Sequence, residues 1–198
     1  MFCKIKNKLA DLFYKSKKYS VPNDWHIEFI LSLAKVVRPV VYVELGLYQC
    51  ELFNKMTPYC GSLIGVDHKI ESGDWMIKSK KTKFFHCSTT QFFSIAKNMK
   101  IEIDLLFIDA SHDFKNVKND FLNYFTLMKN NGLILLHDTY PKDYESIDNK
   151  ICGDGYKAID ELTRSANGYE MMTIPVHPGL TLCRKRDNHL AFLNNEKI

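Results

Sequence analysis

The chain has 198 residues, 45% of them hydrophobic and 25% charged, with a formal net charge of +4. That usage fits one globular core of ordinary size and excludes collagen-like, repetitive or wholly disordered chains. No window approaches the roughly 18 uninterrupted apolar residues of a membrane span, and the first twenty residues lack the apolar stretch of a secretory leader, so a cytoplasmic protein is expected.

The positive charge is concentrated at one end. Residues 1–20 carry six lysines (Lys4, Lys6, Lys8, Lys15, Lys17 and Lys18) against Asp11, which leaves 21 bases and 22 acids over the rest. The body is electrically balanced, so no nucleic acid is expected as a partner. Phe2, Ile5, Leu9, Leu12 and Phe13 recur at helical spacing among those lysines. Residues 1–20 are therefore read as a basic amphipathic segment. It packs on its own domain or on a second copy in a homo-oligomer, with an anionic membrane surface as the lesser alternative. Residues 21–186 are the expected domain and 187–198 a C-terminal tail. The six cysteines form no CxxC pair, which excludes zinc-ribbon and thioredoxin-like readings and suits a reducing compartment.

In chain order, a helix is predicted over Asp24–Val37, stopped by Pro39. Strands follow at Val40–Leu45, Ser62–Asp67, Lys83–Cys87, Ile103–Asp109 and Gly132–Asp138. Their hydrophobicity is continuous rather than alternating, as in parallel strands buried on both faces. A helix over Thr89–Met99 starts from a Ser88 or Thr89 cap. Another runs over Asp113–Lys129, with Phe114, Val117, Phe121, Phe125 and Met128 on one face, and Asn130-Asn131-Gly132 is expected to end it. A helix over Gly155–Arg164 leads to strands Tyr169–Ile174 and Gly179–Arg184, joined across Pro175 and Pro178. The alternation predicts an α/β doubly wound domain.

In such a sheet ligands bind beyond the carboxyl ends of the strands. Those ends carry Glu44-Leu45-Gly46, Asp67-His68, Cys87-Ser88, Asp109 to His112, and His137-Asp138. Gly46 permits a sharp turn and close backbone approach. The single glycine of ELGLYQC lacks the GxGxxG pattern that cradles a pyrophosphate, which counts against a nicotinamide-dependent oxidoreductase. Asp67 is placed to accept ribose hydroxyls. Asp113 is read as a cap for the following helix, and His137 as buried and hydrogen-bonded in its strand. The irregular stretch from Thr139 to Gly155 reads as a substrate-covering loop, with Tyr140, Tyr144 and Asp148 as contacts for a polar acceptor.

VELGLYQC, IGVDH, FIDASH and LLHDT occur in this order, each at a strand end. Together they resemble the class I S-adenosylmethionine-dependent methyltransferases, most of all a small family with FID-x-x-H and HD motifs that includes sugar O-methyltransferases. The catechol O-methyltransferases are a more distant likeness. The resemblance runs from about Asp24 to Arg184. It implies a Rossmann-like, mostly parallel seven-stranded sheet with a terminal antiparallel strand pair.

The same resemblance implies roles for the strand-end residues. Glu44, Gly46 and Tyr48 line the methionine end of S-adenosylmethionine, Asp67 holds the ribose, and Ser88 or Thr89 lies near the adenine. Asp109 faces the amino acid portion and, with Asp138, a divalent ion (Mg2+ or Mn2+). His112 stands where a general base or substrate-orienting group is expected, with Asp109 as the other catalytic candidate. Three positions depart from the pattern: Cys50 stands for a second glycine, Cys87 for an acid or glycine, and Thr139 for an amide ligand. The expected activity is O-methylation of a small polar acceptor, a saccharide. The competing expectations are the oxidoreductase and a non-catalytic binding module on the same fold.

Overall fold

The computed structural model describes residues 22, 24–165 and 168–186. The segments 1–20 and 187–198 lie outside the described residues, and so do the readings placed on them.

The order of elements is α1 (Trp25–Val37), β1 (Val41–Leu45), α2 (Glu51–Met56), β2 (Ser62–Asp67), β3 (Thr82–His86), α3 (Thr89–Asn98), β4 (Ile103–Ile108), α4 (Phe114–Phe125), β5 (Met128–His137), α5 (Tyr156–Arg164), β6 (Tyr169–Ile174) and β7 (Leu180–Lys185). Short 3₁₀ turns sit at Ile70–Asp74 and Glu145–Ile147. The seven strands form one sheet in the order β3-β2-β1-β4-β5-β7-β6. The first five are parallel, and β7 runs antiparallel between β5 and β6. This is the mostly parallel, doubly wound sheet expected from the sequence, with its antiparallel pair at one edge.

Alternate residues of each strand feed opposite layers, because successive side chains leave a strand on opposite faces. Val43, Leu45, Val66, Leu106 and Ile108 pack against Phe92, Ala96, Val117, Phe121 and Leu162 of α3, α4 and α5. Tyr42, Leu63, Leu105, Phe107 and Leu135 pack against Ile30, Ala34, Phe53 and Met56 of α1 and α2. The sheet is thus buried on both sides, which is why its strands read as continuous apolar runs. Among the described residues, no helix is long and apolar enough to cross a membrane.

Two sequence-based boundaries are corrected. The helix expected over Asp113–Lys129 ends at Phe125, where the Thr126 hydroxyl donates to the Asn123 carbonyl. Met128, expected on the helix face, instead opens β5 and pairs with Ile103. The register then slips, so that Leu105 faces Leu133, and Asn131 adopts a φ of +61°. Asn130-Asn131-Gly132 therefore makes an irregularity inside a strand rather than a helix stop, using the same left-handed tolerance of asparagine. The second correction is smaller: β3 ends at His86, one residue earlier than expected, which leaves Cys87 beyond it.

Candidate active site

The strand order reverses between β1 and β4, and there the carboxyl edge opens into a cavity of about 880 Å³. Such a switch point is where crossover helices diverge to opposite faces and leave a crevice. Every residue of the sequence-derived site lines it: Glu44, Gly46, Tyr48, Asp67, Ser88, Thr89, Asp109, His112 and Asp138. His26, Asp120 and His137 line it as well.

Gly46 has a φ of +87°, and a Cβ there would overlap the Asp109 carbonyl and the Ala110 backbone. Only glycine fits both the conformation and the approach. Tyr48 and Cys50 continue the turn with φ of +47° and +57°. Cys50 is buried, and its thiol donates to the Ser72 carbonyl at 3.1 Å. The departure from a second glycine thus falls on a left-handed position, which cysteine occupies at a conformational cost.

Asp67 ties this turn down from the neighbouring strand. Its Oδ2 accepts from the amides of Leu47 and Tyr48 at 2.9 and 3.2 Å, and its Oδ1 from the amide of Lys69 at 2.8 Å. Burial works to raise its pKa, but these amides and the Ser72 hydroxyl outweigh it and hold the carboxyl below the ordinary aspartate range. Asp67 therefore stays ionised, and it lines the cavity.

Glu44 behaves in the opposite way. It is 3% exposed. Burial drives its pKa to about 8, the hydrogen bond from the Tyr42 hydroxyl at 2.5 Å opposes this, and the Asp109 charge adds to it. At neutral pH it is a largely neutral acid at the base of the cavity, one that a cationic group would ionise.

Two acids and two imidazoles form the next cluster. His137 Nδ1 lies 3.1 Å from Asp109 Oδ1 and 3.4 Å from Asp138 Oδ2. Its Nε2 lies 3.2 Å from Nδ1 of His26. His112 Nε2 lies 3.0 Å from Asp138 Oδ2, and its Nδ1 lies 3.0 Å from the Asn149 carbonyl. Carbonyl and carboxylate oxygens only accept, so both nitrogens of His112 donate. Burial alone would lower the His137 pKa, but the charge and hydrogen bond of Asp109, helped by Asp138, lift it to about 10. The hydrogen bond to Asp138 likewise raises that of His112 against burial. The cluster thus holds two negative and two positive groups in balance. Asp138 has a φ of +57°, a left-handed conformation that aspartate tolerates and that often marks a functional position.

One ligand atom each from Asp109, His137 and Asp138 lies within 4.8 Å of the others. Two carboxylate oxygens and an imidazole are a donor set that suits a divalent cation, which would replace the proton now between His137 and the two carboxylates. Asp109 and Asp138, expected to lie together, do so. His137, expected to be buried, keeps its side chain 11% exposed; it is hydrogen-bonded and also part of the cluster.

At the far end Ser88 caps α3. Its hydroxyl accepts from the Gln91 amide, and the Gln91 side chain accepts from the Ser88 amide. That hydroxyl is largely committed to the helix. Asp113 caps α4 as expected, accepting from the amides of Lys115 and Asn116. The stretch from Thr139 to Gly155 borders the cavity through Lys150 and Ile151. It is latched to the β4–α4 loop by three bonds: Gly155 N–H to the His112 carbonyl, Phe114 N–H to Asp154 Oδ1, and His112 to the Asn149 carbonyl. Tyr144 points to solvent, Asp148 caps its own loop, and Tyr140 lines a separate cavity.

The sequence reading missed His26 and Asp120. Asp120 was legible in principle, because it sits next to Phe121 on the buried face of α4 where an acid is out of place. His26 carried no comparable signal; only the packing of α1 on the sheet brings its ring to 4.0 Å from that of His137.

Residues 43–139 match the family described as a methyltransferase domain. Among solved structures, the chain is similar to the O-methyltransferase from Bacillus cereus in complex with S-adenosylhomocysteine. The TM-score is 0.70 at 14% identity, covering 90% of this chain and 88% of that one. It is also similar to the O-methyltransferase TomG from Streptomyces achromogenes, in complex with S-adenosylmethionine and involved in tomaymycin synthesis (TM-score 0.66, 12% identity, 86% of this chain and 83% of that one). The N-methyltransferase NodS from Bradyrhizobium japonicum, bound to S-adenosylhomocysteine, has a TM-score of 0.63 at 13% identity, covering 86% and 90%. A curated relative, the uncharacterized protein R132 of Acanthamoeba polyphaga mimivirus, is 27% identical in an alignment 147 residues long that covers 63% of this chain. The chain spans 66% of that relative's length.

Proposed function

We propose that this chain, which carries a methyltransferase domain over residues 43–139 and the class I methyltransferase fold, is an S-adenosylmethionine-dependent O-methyltransferase of a small polar acceptor, a saccharide. The observation that carries this reading is the switch-point cavity, which Glu44, Gly46 and Asp67 line together with the Asp109–His137–Asp138–His112 cluster. In this reading the cofactor's ammonium ionises Glu44, and its amino acid portion lies along Gly46, Tyr48 and Asp109. Its ribose hydroxyls donate to Asp67, and its adenine lies by Ser88 and Thr89. The methyl group then faces the acid–imidazole cluster.

Methyl transfer is an in-line displacement that needs an aligned, deprotonated nucleophile. Asp109 orients the acceptor hydroxyl. When the contact with Asp138 opens, His112 first gives its Nε2 proton to solvent and then takes the acceptor's proton at that nitrogen, while Nδ1 keeps its bond to the Asn149 carbonyl. A divalent cation such as Mg2+ or Mn2+, held by Asp109 and Asp138 with His137, would supply Lewis acidity toward that hydroxyl. The long loop from Thr139 covers the acceptor.

Both O- and N-methyltransferases are among the similar folds, so the acceptor atom is assigned on the cluster's chemistry. Carboxylates, and an imidazole once it is neutral, suit a hydroxyl that must lose a proton better than an amine that is already nucleophilic. The test is calorimetric titration with S-adenosylhomocysteine and with NAD, followed by methyl transfer to a panel of hydroxyl and amine acceptors, with and without chelator. We expect binding of S-adenosylhomocysteine but not NAD, transfer to a hydroxyl, and a His112→Ala variant at least about 10²-fold slower with its cofactor affinity within a few-fold. Binding without transfer to any acceptor would leave a binding module, and binding of NAD alone an oxidoreductase.

A further inference from the structure

Asp120 is only 3% exposed, yet it borders the cavity together with Cys87, Ser88 and Thr89. A carboxyl taken out of water is costly unless hydrogen-bonded. Within the protein it receives the Thr89 hydroxyl; burial pushes its pKa up to about 6, and that bond works the other way. Two other hydroxyls at this end are committed: that of Ser88 to its cap, and that of Tyr124 to the Thr89 carbonyl at 2.7 Å. Asp120 is left as a buried acceptor with spare lone pairs at this end of the cavity. Asn116, one turn earlier on the same face of α4, lines the cavity with it.

We infer that Asp120 reads the amino-bearing edge of the cofactor's adenine, accepting a hydrogen bond from the exocyclic N6 amine. This rests on the cofactor reading above. The carboxyl comes from α4 rather than from the end of β3, where this chain has Cys87. In its neutral form it also donates to the ring nitrogen beside the amine, so both protonation states match this edge. Asp120 is thus a specificity-determining residue for the purine, and its contact with Thr89 fixes it against the wall of the cavity.

The experiment compares calorimetric dissociation constants for S-adenosylhomocysteine and for its 6-deamino analogue, which has purine in place of adenine. Unaltered protein should bind the analogue roughly tenfold more weakly. In Asp120→Ala the two should differ by no more than about twofold, and in Asp120→Asn, whose amide oxygen still accepts, the tenfold ratio should persist. Where Asp120→Ala loses its circular dichroism spectrum, Asp120→Leu, close in size and apolar, is read the same way. A ratio that stays near tenfold in these apolar variants would show that Asp120 only ties α4 to Thr89, and would overturn the inference. Equal affinities in the unaltered protein would also overturn it. Failure of both ligands to bind the unaltered protein would instead overturn the cofactor reading, and this inference with it.

Discussion

Glu44 and Asp67 are acids at the ends of adjacent parallel strands, pushed in opposite directions by their surroundings. Asp67 is wrapped by backbone amides and stays charged; Glu44 meets one phenol and a nearby negative charge and holds its proton. The consequence for stability has a definite sign. The Glu44 pKa rises from 4.5 to about 8 on folding, so folding retains a proton that the unfolded chain has lost. This contribution is fully present below about pH 4.5 and is lost as pH rises through about 8. We predict that unfolding free energy from urea titrations falls between pH 5 and 8, and that Glu44→Gln, neutral throughout, flattens that slope. An unchanged slope in the variant would show that Glu44 is already ionised in the folded protein.

The turn after β1 is the element on which the site depends. It is held from below by Asp67 and abuts the β4 end at Asp109. Gly46→Ala combines a φ of +87° with backbone overlap, and we predict a loss of about 3 kcal/mol or more. Either the β1 turn or the β4 end must move, so cofactor affinity should fall with stability, measured by denaturation and titration on the same sample. Wild-type stability in that variant would mean the turn has room that its packing denies.

Much of this element-level design was legible in the sequence. Strand-end acids and Gly46 stand out because polar residues directly after apolar runs have few other places to go. The end of α4 was not legible: Phe121, Phe125 and Met128 keep helical spacing, and only the pairing of Met128 with Ile103 puts the last of them in a strand. The clamp on His112 was also hidden, because Asn149 reaches it from 37 residues away through a loop without periodicity. Asp120 went unread for a simpler reason. Attention to the apolar face of α4 passed over the acid embedded in it.

For the whole molecule, the cavity joins two independently packed layers through a single sheet edge. A ligand lying along that edge touches the ends of β1, β2 and β4 and the start of α3 at once, and it binds the unfolded chain nowhere. S-adenosylhomocysteine at about 100 times its dissociation constant should add about 2.7 kcal/mol. For a chain of this size that raises the thermal midpoint by roughly 5–10 °C, read by scanning calorimetry. NAD at equal concentration should leave the midpoint unmoved; a matching rise with NAD would point to generic nucleotide binding.

The latch between the Thr139–Gly155 stretch and the β4–α4 loop links matters of timing. The roof over the acceptor end and the loop carrying His112 share their hydrogen bonds, so neither moves without loosening the other. In the proposed reaction, departure of a methylated product through that side would release the imidazole from Asn149 in the same event, and re-latching would return it to its clamp before the next acceptor is enclosed. On that reading, opening of the roof and resetting of the proton acceptor become one clock rather than two.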